Sequence, residues 1–173
     1  WLNGCWIREN LSNNEFAERV NDWALNKDNL FKMIPLVKER VEKFSDVVPM
    51  LSFMFSGIPD LKESSFVHKN LDNQSIRQIL QFSSWSLDEV DDWNRDSLYQ
   101  KLNSIAALLD FKLKVFLFPL FVAIVGSASG PPLFDAMAIL GPDIVRARIR
   151  SALASAGGVS KKQLKEWEKS YKK

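Results

Sequence analysis

Arg40 is the residue of this 173-residue chain whose type and setting most invite a ligand. Read on a helix, its neighbours three and four positions away are Leu36, Val37, Lys43 and Phe44, none of them acidic. The flanking charges can satisfy one another as i,i+4 pairs, Lys38 with Glu42 and Glu39 with Lys43. The guanidinium is then left without a local partner, beside an apolar face. From these residues two readings stay open: a tertiary ion pair, or a cation kept for a ligand.

The run Gly126-Ser127-Ala128-Ser129-Gly130 is the second place to look. A phosphate loop needs Gly-x-x-x-x-Gly-Lys followed by Ser or Thr, and here Pro131 follows Gly130. A nucleophile elbow needs Gly-x-Ser-x-Gly, and here Ser129 stands directly before the second glycine. A hydrolase built on Ser127 or Ser129 is therefore disfavoured. His68, the single histidine, lies in a polar segment and reads as a surface residue. Cys5, the single cysteine, lies among Trp1, Trp6 and Ile7 and reads as a small core residue. One of each excludes a His/Cys metal cluster within the chain and any internal disulfide, which fits a reducing compartment. Asp88, Asp91 and Asp92 are expected in the first turn of a helix, where the dipole favours carboxylates without any catalytic role. Arg146, Arg148 and Arg150 spread around their helix and are expected in structural ion pairs. No catalytic constellation emerges.

Hydrophobic residues are 46% and charged residues 25% of the chain, enough for one compact core or two small lobes. Net charge is +2, from 23 Lys and Arg against 21 Asp and Glu, too mild to argue for nucleic acid without local clustering. The first residue is Trp1 rather than Met, so a fragment of a longer protein is expected. Ser12 and Glu15 fit a capping box, and the helix behind them carries Phe16, Val20, Trp23 and Ala24 on one face. Asp28 is expected to cap the next helix, with Leu30, Ile34, Val37, Val41 and Phe44 near a 3.6 period and Pro35 dividing it. Ser45 or Asp46 should cap a helix over 47–55. The segment 62–75 is polar and weakly periodic and reads as a junction.

Beyond the junction, Ile76, Ile79, Leu80 and Phe82 predict a short helix, and Ser86 should open another. A helix over 97–111 follows. The eleven residues 115–125 carry no polar side chain, but a membrane span needs about 20. They read as a buried helix with Pro119 in its first turn and Gly126 as a left-handed C-cap. Pro131 or Pro132 opens the next helix, 133–140, closed by Gly141. Helices follow over 143–154, with Pro142 at the start, and over 161–171, capped by Ser160. The last fourteen residues hold six lysines and two glutamates, read as a solvated terminal helix or a weak phosphate-attracting tail. No segment alternates with period two, so the fold class is all-α.

Four stretches carry a resemblance. They are Trp1-Leu2-Asn3-Gly4-x-x-Ile7-Arg8; Leu36-Val37-x-x-Arg40-Val41; Pro119-Leu120-x-Val122-Ala123-Ile124-x-Gly126-Ser127 with Pro131-Pro132-Leu133-Phe134; and Leu140-Gly141, six residues, then Arg148-Ile149. In order and spacing the chain resembles the C-terminal, anticodon-binding half of bacterial-type glutamyl-tRNA synthetases over nearly its whole length. The family's His-Ile-Gly-His-like and Lys-Met-Ser-Lys-Ser-like motifs are missing; Val67-His68-Lys69-Asn70 and Lys32-Met33-Ile34-Pro35 do not match them.

The resemblance implies a non-catalytic piece of a class I enzyme that activates glutamate with ATP and joins it to tRNA-Glu. ATP, with Mg, would belong to the absent catalytic half, and this part needs no cofactor. The expected protein is a cytoplasmic monomer that binds neither membrane nor DNA. It implies two consecutive helical lobes, 1–57 and 76–157, with the junction at 58–75 and a basic C-terminal helix at 158–173. An Arg at position 40 reads the last anticodon base in this family. A guanidinium fork meets the adjacent O2 and N3 acceptors of cytosine, whereas guanine would present donors to donors. Gly130, Pro131, Leu133 and Phe134 are the expected wall for the other bases, held by stacking and edge contacts. The family often has Arg where Phe121 stands and Thr or Ser where Gly130 stands, so a base-edge or phosphate contact from position 121 would be lost, or replaced by stacking. Arg8 is expected near the tRNA stem. The alternative is a non-catalytic all-α protein-interaction module, for which six Trp and twelve Phe leave room.

Overall fold

Local helix signals explain most of the elements of the computed structural model, which describes residues 4–25 and 27–172. The expected roles of Trp1, Leu2 and Asn3 lie outside the described residues. The first helix, α1 (Gly4–Asn10), buries no residue. Cys5 is exposed, not a core residue, because no face of α1 meets either apolar cluster. Helix α2 (Asn13–Val20) begins as expected: the Ser12 hydroxyl accepts from the Glu15 N–H and the Glu15 carboxylate accepts from the Ser12 N–H. That hydrogen bonding holds the Glu15 carboxyl below the usual range. Asn21–Leu25 continue as a wider π turn.

Helix α3 (Lys27–Met33) already includes Asp28 in its first turn, so Asp28 is not its cap. Pro35 then tightens the chain into 3₁₀ turns, Ile34–Leu36 and Lys38–Arg40, and Val41 is extended at φ −84°, ψ 133°. The helical geometry behind the expected Lys38–Glu42 and Glu39–Lys43 pairs is thus absent. Helix α4 (Val47–Phe55) follows; Asp46 stands at its start without a capping bond, its carboxylate accepting instead from the Glu42 and Lys43 N–H groups.

Helix α5 (Asn73–Asp88) is one continuous element, capped by Asp72, whose carboxylate accepts from the Ser75 N–H. Ser86 does not open a helix; it is 1% exposed in the last turn of α5, beside buried Ser83 and Ser84. Three serines on a buried face hide the apolar period that would have marked one long helix. Asp88 therefore ends a helix instead of starting one. Its charge at the unfavourable dipole end is met by Arg146 at 3.0 Å.

Helices α6 (Arg95–Leu108) and α7 (Leu113–Val125) pack on α5. Pro119 is the seventh residue of α7, not part of its first turn, because the helix runs on N-terminally to Leu113 with buried Phe116 before the proline. It has no N–H for the Val115 carbonyl and costs about 3 kcal/mol in an ordinary helix interior. Burial of Phe116, Leu120, Val122, Ala123 and Ile124 around it holds the helix together. Gly126 closes α7 at φ +81°, its N–H bonded to the Val122 carbonyl. Helices α8 (Leu133–Leu140), α9 (Pro142–Ser155) and α10 (Lys161–Tyr171) complete the chain, α10 with a capping box of Ser160 and Gln163. Among the described residues there is no strand, only one isolated bridge between His68 and Leu71, so the fold is all-α.

Two apolar clusters hold these helices. The larger joins α5, α6, α7 and α9, with Phe66, Leu133 and Met137; Trp167 of α10 docks on it at 5% exposure. The basic last helix is thus amphipathic, with Trp167 and Tyr171 against Phe82 and its lysines outward. The smaller cluster gathers Met33, Leu36, Val37, Leu51 and Phe53 with Ala136 of α8. It fixes the 3₁₀ turn that bears Arg40 against α4.

Candidate RNA-binding site

The turn at 38–40, helix α4 and the loop after α7 enclose a cavity of about 410 Å³. Val37, Arg40, Met50 and Phe53 line one side, and Ser127, Ser129, Gly130 and Pro131 the other. Val37 is 1% exposed and anchors the turn, so Arg40, three residues on, projects from a fixed base. Its Nη1 donates to the Gly130 carbonyl at 2.5 Å, across 90 residues of chain. Arg40 therefore has neither of the expected settings in pure form. Its partner is a neutral carbonyl, not an acid, and the exposed side chain lines the cavity.

A second cavity of about 500 Å³ lies on the other side of the same loop. Phe118 and Phe121 of α7 line it with His68, Lys69 and Lys114. Ser129 and Gly130 border both cavities. The loop is thus a partition, with a cation on one side and aromatic rings flanked by two lysines on the other. His68 is half-buried: its ring lies 4.6 Å from that of Phe118, and its Nδ1 accepts from the Asn70 N–H. Nothing in the local sequence marked His68, Lys69 or Lys114, because only the fold brings 68–70 beside α7. The Ser127 hydroxyl donates to the Ser129 carbonyl, which ties the loop on itself. Gly130 fits tightly: a Cβ there would lie 3.0 Å from Val125 Cγ1.

Not all the expected wall residues face these cavities. Pro131 is buried and lines the first. Leu133, 3% exposed, belongs to the main core. Phe134 is half-buried and stacks edge-on against Tyr99 at 5.4 Å. Asp135, in the first turn of α8, pairs with Arg95 at 3.4 Å and places a carboxylate at that helix start. Arg8 is far off in the chain, on exposed α1, with Nη2 donating to Cys5 Sγ.

Arg148 overturns the expectation of ion pairs on α9. Arg146 and Arg150 do meet Asp88, but Arg148 is 0% exposed and forms no ion pair among the described residues. Its Nε donates to the Gly57 carbonyl at 3.1 Å, its Nη2 to the Phe53 and Ser56 carbonyls, and its Nη1 to the Ile124 carbonyl. These are carbonyls at the C-terminal ends of α4 and α7, where helix dipoles concentrate negative potential. Burial lowers the Arg148 pKa, and the two helix ends compensate the buried cation without a counter-ion. Sequence alone offered one sign of this, the Leu140-Gly141…Arg148-Ile149 spacing, but not what the arginine holds.

No group of three or more His, Cys, Asp or Glu among the described residues could hold a metal ion, and no described helix is long and apolar enough to cross a membrane. The arrangement is a pair of recesses sharing Ser129 and Gly130, with Arg40 lining one and Lys69 and Lys114 the other.

The chain is 43% identical over 171 residues to a glutamate–tRNA ligase of Marinobacter nauticus, covering 99% of this chain and 35% of that protein. It is 44% identical to one of Alcanivorax borkumensis and 46% identical to one of Pseudomonas aeruginosa, again over nearly all of this chain. The chain thus spans about a third of the length of the curated relatives it matches. A crystal structure of a glutamate tRNA ligase from Elizabethkingia meningosepticum shares the fold, with a TM-score of 0.67 at 19% identity over 82% of this chain and 28% of that one. The model of the anticodon binding domain matches residues 15–153. With most of its length inside that match, including both cavities and Arg148, the chain belongs to the anticodon binding domain family.

Proposed function

We propose that this chain reads the anticodon of tRNA-Glu for a glutamate–tRNA ligase, the activity named for its relatives. The single observation that supports this most is Arg40, exposed, lining the 410 Å³ cavity and bonded there to a neutral carbonyl, that of Gly130. A cytosine in the last anticodon position offers O2 and N3 of its Watson–Crick edge to the guanidinium fork, where a guanine in the same pose offers its N1–H and N2–H donors. The cavity walls, Met50, Phe53 and Pro131, supply apolar contact to the ring. Lys69 and Lys114 stand at the second cavity, where they attract the phosphates joining the splayed bases. Gly130 and Phe121 serve there as partition and stacking surface, and Arg8 touches the stem. Leu133 and Phe134 contribute by holding the start of α8 in place. The chemistry of glutamylation, with ATP and Mg, falls to residues outside this chain, in a cytoplasmic enzyme that acts as a monomer and has no DNA ligand.

The test is equilibrium binding of the chain to two anticodon stem-loops that differ only in the last anticodon base, cytosine or guanine. The cytosine form should bind more tightly by about 1–3 kcal/mol, and both should weaken as salt rises. Equal binding of the two at all salt concentrations refutes the reading. Binding of neither, with retention of the chain by a protein partner, would favour an interaction module.

A further inference from the structure

The two walls of the Arg40 cavity belong to elements far apart in the chain. One wall is α4, with Met50 and Phe53; the other is the loop that leaves α7 at Gly126. The Arg40 turn is tied to α4 through the smaller apolar cluster, where Val37 packs with Leu51 and Phe53. The loop is tied to α7, because Gly126 follows the last turn directly and Ser127 bonds Ser129. What sets the width of the recess is therefore the separation between the ends of α4 and α7. Arg148 is bonded to both. Its Nε and Nη2 hold Phe53, Ser56 and Gly57 at the end of α4, and its Nη1 holds Ile124, two residues before Gly126.

The geometry points to Arg148 as the positioning residue of this recess: by clamping the final carbonyls of α4 and α7 together, it sets the gap between Arg40 and Gly130, and with it which base fits beside Arg40. Arg148 itself is fully buried, so it acts through the two helix ends and not on a base. Only a rigid fork can serve this role. The guanidinium spreads its donors in a plane, so one side chain reaches two helix ends; a lysine ammonium concentrates its donors at one point and holds one end at a time. An arginine side chain buried without a carboxylate is also costly, and fixing the gap gives that arrangement a consequence for function.

The consequence for discrimination rests on the anticodon reading; the clamp does not. The experiment uses the whole chain with Arg148→Lys, Arg148→Gln as a second variant, and Ile79→Val as a control that loosens the core of α5 away from the clamp. Amide exchange is the first readout. In the arginine variants the Ser56 and Gly126 N–H groups should exchange about tenfold faster relative to amides of α6 such as Leu102, and the control should not show this selectivity. The second readout is the ratio of affinities for the cytosine and guanine stem-loops. It should fall about fivefold or more in Arg148→Lys and stay unchanged in the control. Arg40→Ala added to Arg148→Lys should remove less discrimination than Arg40→Ala does in the wild-type chain, because both act on one gap. A folded Arg148→Lys with wild-type exchange at both helix ends and a wild-type ratio overturns the proposal. Variants that lose the fold altogether, while the control keeps it, make Arg148 a general brace and also overturn it. A wild-type chain without preference between the RNAs would refute the anticodon reading instead, and exchange would still judge the clamp.

Discussion

Replacing Arg40 separates base reading from mere charge attraction. In the free protein Arg40 makes one exposed bond, to the Gly130 carbonyl, and its remaining donors have no protein acceptor among the hydrogen bonds of the described residues. Losing that bond costs about 0.5–1.5 kcal/mol of stability at most, so Arg40→Ala should fold. Against a cytosine-ending stem-loop it loses a two-donor contact made by a charged group, worth about 1–3 kcal/mol, or about 5- to 150-fold in Kd. Against a guanine-ending stem-loop the wild-type fork meets N1–H and N2–H donors, so its removal should cost little or even help. The affinity ratio should therefore collapse toward one, chiefly through weaker binding of the cytosine form. Arg40→Gln, which can donate or accept, should retain more affinity than Ala while relaxing discrimination. The assay is a fluorescence titration of both RNAs at two salt concentrations. If Arg40→Ala weakened both RNAs equally and lowered the salt slope by about one, Arg40 would be a phosphate contact, and the base-reading argument would fail.

Arg148→Met leaves the carbonyls of Phe53, Ser56, Gly57 and Ile124 without their donor and should cost about 3–5 kcal/mol, a large share of a typical domain's stability, seen as a lower midpoint in urea unfolding. Tyr171 is pushed up to about 12 by burial and by its hydroxyl donating to Glu89. A raised folded pKa means that this stabilisation is complete below the ordinary tyrosine pKa of about 10 and is lost as pH rises from there towards 12. Unfolding followed between pH 9 and 12 should show that decline, and Tyr171→Phe should flatten it. Phe121→Arg places a third cation at the cavity that Lys69 and Lys114 border, and should steepen the dependence of log Kd on log salt by about one if RNA phosphate runs there. A slope that does not move would take the RNA path away from α7.

Helix boundaries fixed by hydrogen bonds within about four residues of chain were largely legible in the residues themselves, though Asp28 and Asp46 did not cap as expected. Ser12 with Glu15, Ser160 with Gln163, Gly126 and Gly141 end or begin helices where their own side chains or missing Cβ satisfy the nearby N–H and C=O groups, and those boundaries were legible for that reason. The all-α class followed from the same signals, and Arg40 was legible as a cation without a helical neighbour. Where reading failed, a distant contact had overridden a local preference. Ser86 looked like a cap but is a small buried residue in a helix packed on α9. Pro119 looked like a helix start but sits mid-helix because the core around it outweighs one lost bond. Arg40 looked helical, yet Pro35 and the packing of Val37 put it on a 3₁₀ turn that aims it at Gly130. Tertiary structure alone decided that His68, Lys69 and Lys114 would join Phe121, and that Leu133 would turn inward. It alone decided that Arg148 would hold carbonyls 24 to 95 residues away. Backbone carbonyls are the same at every position, so no sequence pattern marks them as the partners of a buried arginine; only the packing of α4, α7 and α9 brings them within its reach.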